Sequence, residues 1–171
     1  METFEVKRGL IKNLASEGGL ASLAANHFEN VDGSGDAFEG SHGIMSSIKA
    51  EYSALGKLVI DVVNERPDFD DPSAMEVAMD TRQRWSAFLD EATGYTSKQR
   101  SDKAKEFVKR GTKAKSGISQ ARHFMEMSSN LTDETRAQAE EFISTIETLL
   151  EAGDNTKAES TAKKLGKLLE S

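Results

Sequence analysis

The spacing of apolar residues changes several times in the first part of the chain, and each change predicts an element. Residues 3–8 alternate apolar and polar side chains, which is typical of a half-buried strand. Residues 10–28 carry apolar side chains at helical spacing, with a break or kink expected at Gly18 and Gly19. Residues 30–36 are rich in Asp, Gly and Ser, so we expect a turn-rich loop there.

Three extended runs follow this loop and predict an antiparallel meander. They cover residues 37–41, 44–53 and 57–64. The third run, KLVIDVVN, has the densest apolar and β-branched content, which favours a central and well-covered strand.

A long helix is expected after the meander. Asp71 followed by Pro72 is a typical helix start, and Gly94 supplies a left-handed stop. The order strand–helix–three strands–helix predicts an α+β domain over residues 1–97, with the helices covering one face of an antiparallel sheet.

Residues 98–171 show no strand pattern. Three helical stretches are separated by short breaks, so we expect a C-terminal antiparallel three-helix unit. Because a helical unit of this size rarely has much stability to spare, we expect it to lean on the first domain, a second copy or a partner.

Charge singles out the first of these helices. Residues 98–122 hold nine basic and two acidic residues, whereas the rest of the chain holds thirteen basic and twenty-seven acidic ones. The overall net charge of −7 disfavours general affinity for nucleic acid. A local basic surface can overcome this repulsion only at short range.

On a helix, this segment separates an apolar arc from a basic arc. Three interpretations stay open: a solvated face, a docking face for a phosphate backbone or an acidic protein, and a disordered segment weakened by Gly111 and Gly117. The candidate partner-binding residues are Lys98, Lys103, Lys105, Lys109, Arg110 and Lys113.

The composition of the chain excludes several classes of function. The absence of cysteine excludes disulfides, thiolate metal sites and cysteine nucleophiles. No run is long and apolar enough to span a membrane, and the acidic N-terminus is unlike a signal peptide, so we expect a soluble cytoplasmic protein.

No motif supports catalysis, a metal or a cofactor. The loop at residues 32–36 has neither the glycine nor the glutamate spacing of an EF-hand. His27, His42 and His123 each lack a second histidine at helical spacing. We expect structural or solvent-exposed roles for all three, although His42 is placed to meet acids across the sheet.

Residues 1–97 resemble a small archaeal α+β domain family whose function is unassigned. The matching features are Val6-Lys7-Arg8-Gly9, the Ser41-His42-Gly43 turn and the block Ala87–Thr96. The resemblance implies an archaeal cytoplasmic protein and carries over no catalytic residues.

Three functional hypotheses follow. The first is a non-enzymatic adaptor that presents residues 98–115 to an acidic partner, either a protein or a nucleic-acid backbone. The second is a self-assembling helical module without an external ligand. The third is a small-molecule-binding or hydrolytic domain near His42.

Overall fold

The computed structural model describes residues 1–171 and divides the chain into two compact units, Met1–Lys103 (unit 1) and Ala104–Ser171 (unit 2). The boundary lies a few residues beyond the expected one, inside a long helix that begins at Ser97. The elements are β1 (Glu2–Glu5), α1 (Leu10–Ala15), α2 (Gly19–Ala25), β2 (Asn30–Ser34), β3 (Ala37–His42), β4 (Met45–Tyr52), β5 (Lys57–Asn64), α3 (Pro72–Thr93), α4 (Ser97–Met127), α5 (Asp133–Glu151) and α6 (Asn155–Glu170).

Unit 1 is built on a five-stranded antiparallel sheet in the order β1-β5-β4-β3-β2. The predicted meander is confirmed as β3, β4 and β5. One expectation is wrong: residues 30–34 form strand β2 instead of a loop. Only Gly35 and Asp36 form the turn, because Ser34 already pairs with Ala37 in a tight hairpin.

The helices of unit 1 cover one face of this sheet. The break expected at Gly18 and Gly19 separates α1 from α2, and both glycines have left-handed backbones, with φ of 102° and 78°. The core is aromatic: the ring centroid of Phe88, which is fully buried, lies 4.9 Å from that of Phe28 and 5.7 Å from that of Phe38. Such pairs add about 0.5–1.5 kcal/mol beyond the burial of their area.

Strand β5 is an interior strand, next to the edge strand β1, and is covered on one face only. Leu58 and Ile60 point into the core, while Asp61 and Val63, on the other face, are exposed. Strand β5 lies between β1 and β4, so its backbone is hydrogen-bonded on both sides. The apolar run therefore indicated an interior strand of the sheet, without full coverage.

The predicted ends of α3 are confirmed. Asp71 accepts a hydrogen bond from the Ser73 backbone N–H at 2.9 Å, and Pro72 occupies the first turn. Gly94 ends the helix with φ of 74°. At this end, the Tyr52 hydroxyl donates to the Ala92 carbonyl at 2.6 Å, which ties β4 to the last turn of α3.

Unit 2 has its own hydrophobic cluster, formed by α4, α5 and α6. Ala114, Ile146 and Leu165 are fully buried within it. Thr132 caps α5 as expected, and Asp154 caps α6 by accepting the Lys157 N–H at 3.2 Å. The Arg136 guanidinium donates to the Met125 and Ser128 carbonyls, which satisfies the C-terminal end of α4.

Candidate functional site

Helix α4 starts with a capping box. The Thr96 N–H donates to Gln99 Oε1 at 2.9 Å, and the Gln99 N–H donates to Thr96 Oγ1 at 3.3 Å. One turn further, Arg100 is buried, forms an ion pair with Asp90 and donates to the Tyr95 carbonyl. One of the nine basic residues of the segment is therefore a structural side chain of unit 1.

Within unit 2, α4 and α6 approach closely at two glycines. A Cβ on Gly111 would lie 2.7 Å from Asn155 Nδ2, and one on Gly117 would lie 3.0 Å from Ala162 Cβ. The buried Asn155 side chain donates to the Phe107 carbonyl at 3.0 Å. The two glycines therefore make room for α6 against α4 and do not mark disorder.

This approach brings Glu159 of α6 among the cations of α4. Its carboxylate lies 3.5 Å from Lys113 Nζ, 3.9 Å from Arg110 Nε and 3.3 Å from Lys163 Nζ of its own helix. Burial alone would raise the pKa of Glu159, but hydrogen bonds and attraction from Lys163 and Lys113 outweigh burial and lower the pKa. Glu159 is therefore held ionised among three cations.

The six candidate cations fall into two groups. The half-buried ones are engaged: Arg110 pairs with Glu106 at 2.6 Å and donates to Thr156 Oγ1, and Lys103 Nζ lies 5.6 Å from the Tyr95 ring centroid. The other four, Lys98, Lys105, Lys109 and Lys113, are exposed, and only Lys113 has an ion pair. At about 100° per residue Lys105, Lys109 and Lys113, which all belong to unit 2, lie within one narrow sector of α4.

Several residues of this surface have no part in the predicted set. Thr156, Glu159 and Lys163 come from α6, whose side facing Arg110 and Lys113 is set by tertiary packing. The spacing of Glu159 and Lys163, four residues apart, was the available signal, but this spacing is common on solvated helices.

His42 meets an acid, as considered, but from α3 instead of from across the sheet. Its Nδ1 accepts the Glu29 backbone N–H at 3.2 Å, so the proton of the neutral ring lies on Nε2, which donates to Asp80 Oδ2 at 3.2 Å. Arg84 also contacts Asp80, at 3.2 Å. Since His42 is only 4% exposed and both its ring nitrogens are occupied, the geometry supports a structural role.

The other two histidines also fit structural or exposed roles. His27 lies 3.4 Å from the Glu91 carboxylate and packs edge-on against Phe88, while His123 is exposed. No group of three or more His, Asp or Glu side chains is placed to hold a metal ion.

The uncovered face of the sheet carries a mixed row of charges. Asp32, Glu39, Lys49 and Asp61 lie on successive strands in register, beside an open cleft of about 600 Å³. Lys49 lies 3.5 Å from Glu39, so part of this charge is compensated locally. An antiparallel sheet with one solvated face has this composition without a ligand.

The structure thus defines an α+β protein: an antiparallel sheet with helices on one face, followed by a helical unit with a basic surface on α4 and α6. None of its helices is both long and apolar enough to span a lipid bilayer. Residues 1–106 match the family described as a domain of unknown function, DUF5611, and the chain belongs to that family.

The family match confirms that residues 1–97 resemble a family whose function is unassigned. It ends before Lys109, Arg110 and Lys113, so three of the six candidate cations lie outside the matched region. Among curated proteins and among solved structures, no match to the chain was found.

Proposed function

We propose that the protein is a cytoplasmic adaptor that binds an acidic partner, a protein or a nucleic-acid backbone, through the exposed cations of α4. The observation that supports the proposal is the contrast between Lys105 and Lys109, which are exposed without ion pairs, and Arg110 and Lys113 beside them, which are paired. The family assigns no activity that would favour another function.

The arrangement of these lysines gives an acidic partner an energetic advantage. Lys105, Lys109 and Lys113 follow one another at four-residue steps, and such like-charged neighbours destabilise a helix by a few tenths of a kcal/mol per pair. An anion placed along the row removes this repulsion and gains attraction to each lysine. Because the lysines are exposed, the attraction is screened by salt.

A salt titration of the full chain tests the proposal. Binding to duplex DNA, single-stranded DNA, single-stranded RNA and polyglutamate is measured by fluorescence anisotropy from about 20 to 300 mM salt, a range that spans strong to weak screening. We expect binding at low salt to at least one polyanion. For a nucleic acid, log K falls linearly with log salt, by about 0.7–0.9 per phosphate contacted.

Matched variants connect the binding to the surface. Lys105→Ala/Lys109→Ala is expected to weaken binding about tenfold and to reduce the slope of log K against log salt by about 1–2. The control is Lys7→Ala/Lys12→Ala, which removes the same charge from exposed positions of unit 1. Absence of binding at low salt, or an equal loss in both double variants, would rule the proposal out.

Self-assembly is a second candidate, and exposed apolar side chains on α4 favour it. Val108, Phe124 and Met127 of unit 2 are 65%, 43% and 75% exposed. Sedimentation of the full chain over a wide concentration range tests this function. An oligomer that dissociates in Phe124→Asp/Met127→Asp supports it, and a monomer throughout removes it.

A further inference from the structure

A shallow cleft lies between α4 and α6, entirely within unit 2. Its volume is about 430 Å³. Four of its seven lining residues are basic: Glu106, Lys109, Arg110, Lys113, Thr156, Glu159 and Lys163. No aromatic or aliphatic side chain lines it, so an apolar ligand finds no complement there.

The charges in the cleft do not cancel. Four cations face two carboxylates, which leaves an excess of two positive charges. Glu159 accepts contacts from three of the cations and so holds their side chains in place, while Glu106 is paired with Arg110. Lys109 has no carboxylate partner.

One hydroxyl complements these cations. Thr156 Oγ1 accepts a hydrogen bond from Arg110 at 3.2 Å, so its own proton is available to donate to a ligand. The cleft therefore offers lysine ammonium groups as point charges together with one neutral donor. A phosphate group, with several acceptor oxygens and up to two negative charges, matches this set better than a carboxylate with one charge.

We infer that the cleft between α4 and α6 binds a phosphate group of the acidic partner. The inference rests on the proposed function, because it names the chemical group that the same basic surface recognises. A phosphomonoester and a nucleic-acid phosphodiester share this chemistry, so the experiment separates them.

The test is an NMR titration of the isotope-labelled full chain with inorganic phosphate, at ionic strength held constant with chloride. We expect saturable shifts of backbone amides in the cleft, centred on Lys109, Thr156 and Lys163. Shifts that are equally large with chloride alone, or that spread over all lysine-bearing surfaces, would overturn the inference.

Two pairs of variants provide matched controls. Lys163→Ala and Lys109→Ala remove cations that line the cleft, whereas Lys164→Ala and Lys115→Ala remove neighbouring exposed lysines that do not line it. The cleft variants are expected to weaken phosphate binding about tenfold, and the controls less than twofold. Circular dichroism checks that all four variants fold. If the cleft variants and the controls weaken phosphate binding equally, the inference is overturned.

Two further ligands distinguish the source of the phosphate and separate this inference from the proposed function. A nucleoside monophosphate and a single-stranded oligonucleotide without terminal phosphates are titrated into the same sample. Cleft shifts with the first alone support a monoester site, and shifts with the second support a backbone site. If both ligands and inorganic phosphate leave the cleft unchanged while polyglutamate binds α4, the phosphate site falls and the adaptor function stands. If phosphate binds in the cleft but no polyanion binds the protein, the phosphate site stands and the adaptor function falls.

Discussion

His42 and Asp80 show how one contact joins the sheet of unit 1 to its longest helix. The imidazole is buried on β3, and its Nε2 reaches the Asp80 carboxylate on α3 at 3.2 Å. Gly43, the next residue, has φ of 52°, and a Cβ there would lie 2.0 Å from Thr81 Oγ1. The Ser41-His42-Gly43 turn is therefore constrained by packing against α3, which explains its residue types without a catalytic role.

The contact predicts a dependence of stability on pH. The hydrogen bond from His42, followed by contacts to Arg84, lowers the pKa of Asp80 below its ordinary value. A carboxyl group with a lowered pKa in the folded state contributes stability that is complete above the unfolded pKa, about 3.9, and is lost as the pH falls through the folded pKa. Asp80→Asn should therefore lose less stability than the wild type on acidification from pH 5 to pH 2.

Urea unfolding at several pH values measures this difference. Asp102→Asn is the control, because Asp102 is an exposed carboxylate without an ion pair. The prediction is wrong if Asp80→Asn and the wild type lose stability in parallel over the acidic range.

Tyr52 predicts an effect at the opposite end of the pH scale. Burial raises the pKa of its hydroxyl, which donates to the Ala92 carbonyl at 2.6 Å. Tyr52→Phe leaves that carbonyl without its partner, so we expect a loss of about 1 kcal/mol in the free energy of unfolding at pH 7.

In alkaline solution the same hydroxyl causes the stability of the wild type to fall. A raised pKa in the folded state gives stability that is present below the unfolded pKa of about 10 and is lost as the pH rises beyond it. Tyr52→Phe should therefore lose less stability than the wild type between pH 9 and pH 11, as measured by urea unfolding. Tyr95→Phe serves as the control at pH 7, where a change within about 0.5 kcal/mol is expected. An equal loss at pH 7 in both variants would contradict the prediction.

At the scale of elements, local signals specified the helices more completely than the strands. Asp71, Pro72 and Gly94 act within a few residues of the helix ends that they define, so the bounds of α3 follow from the sequence. Strand β2 was missed because its residues are turn formers, and its conformation is held by pairing with β3. The α6 half of the basic surface was missed because the contact of Glu159 with α4 depends on packing at Gly111.

The two helical glycines Gly111 and Gly166 should respond in opposite ways to alanine. A methyl group on Gly111 would displace the buried Asn155 side chain and break its bond to the Phe107 carbonyl. This loss outweighs the gain in helix propensity of up to about 1 kcal/mol, so we expect Gly111→Ala to destabilise the protein by about 1 kcal/mol.

Gly166 on α6 is the matched control, since a Cβ there meets no atom within 4 Å. Gly166→Ala should stabilise the protein by about 0.5–1 kcal/mol through helix propensity alone. Thermal unfolding followed by circular dichroism compares the two variants. If both substitutions stabilise the protein, the Asn155 side chain moves without a loss of free energy, and the close approach of α4 and α6 has no energetic role.

At the scale of the whole molecule, the two units differ in net charge and in how far the family match covers them. Unit 1 has eleven basic and eighteen acidic residues, so it carries the entire net charge of −7, whereas unit 2 has eleven of each. Unit 2 is nevertheless polarised, because α5 is predominantly acidic while α4 and α6 supply the basic surface. The family match covers all of unit 1 and ends at residue 106, so Lys105 lies inside the matched region, whereas Lys109 and Lys113 lie outside it.

The two hydrophobic clusters share no residue, which predicts that each unit unfolds around its own core. Phe88 in the first cluster and Ile146 in the second are both fully buried, so replacing either by alanine should lower the free energy of unfolding of its own unit by about 2–5 kcal/mol.

Trp85, the only tryptophan, packs on the first cluster, so its fluorescence reports unit 1, whereas far-UV circular dichroism reports the helices of both units. In urea, Phe88→Ala should lower the midpoint of the fluorescence transition. Ile146→Ala should leave that midpoint in place and shift only part of the dichroism change. If both variants lower both transitions equally, the chain unfolds as one cooperative structure, and the helical unit depends on the first domain for its stability.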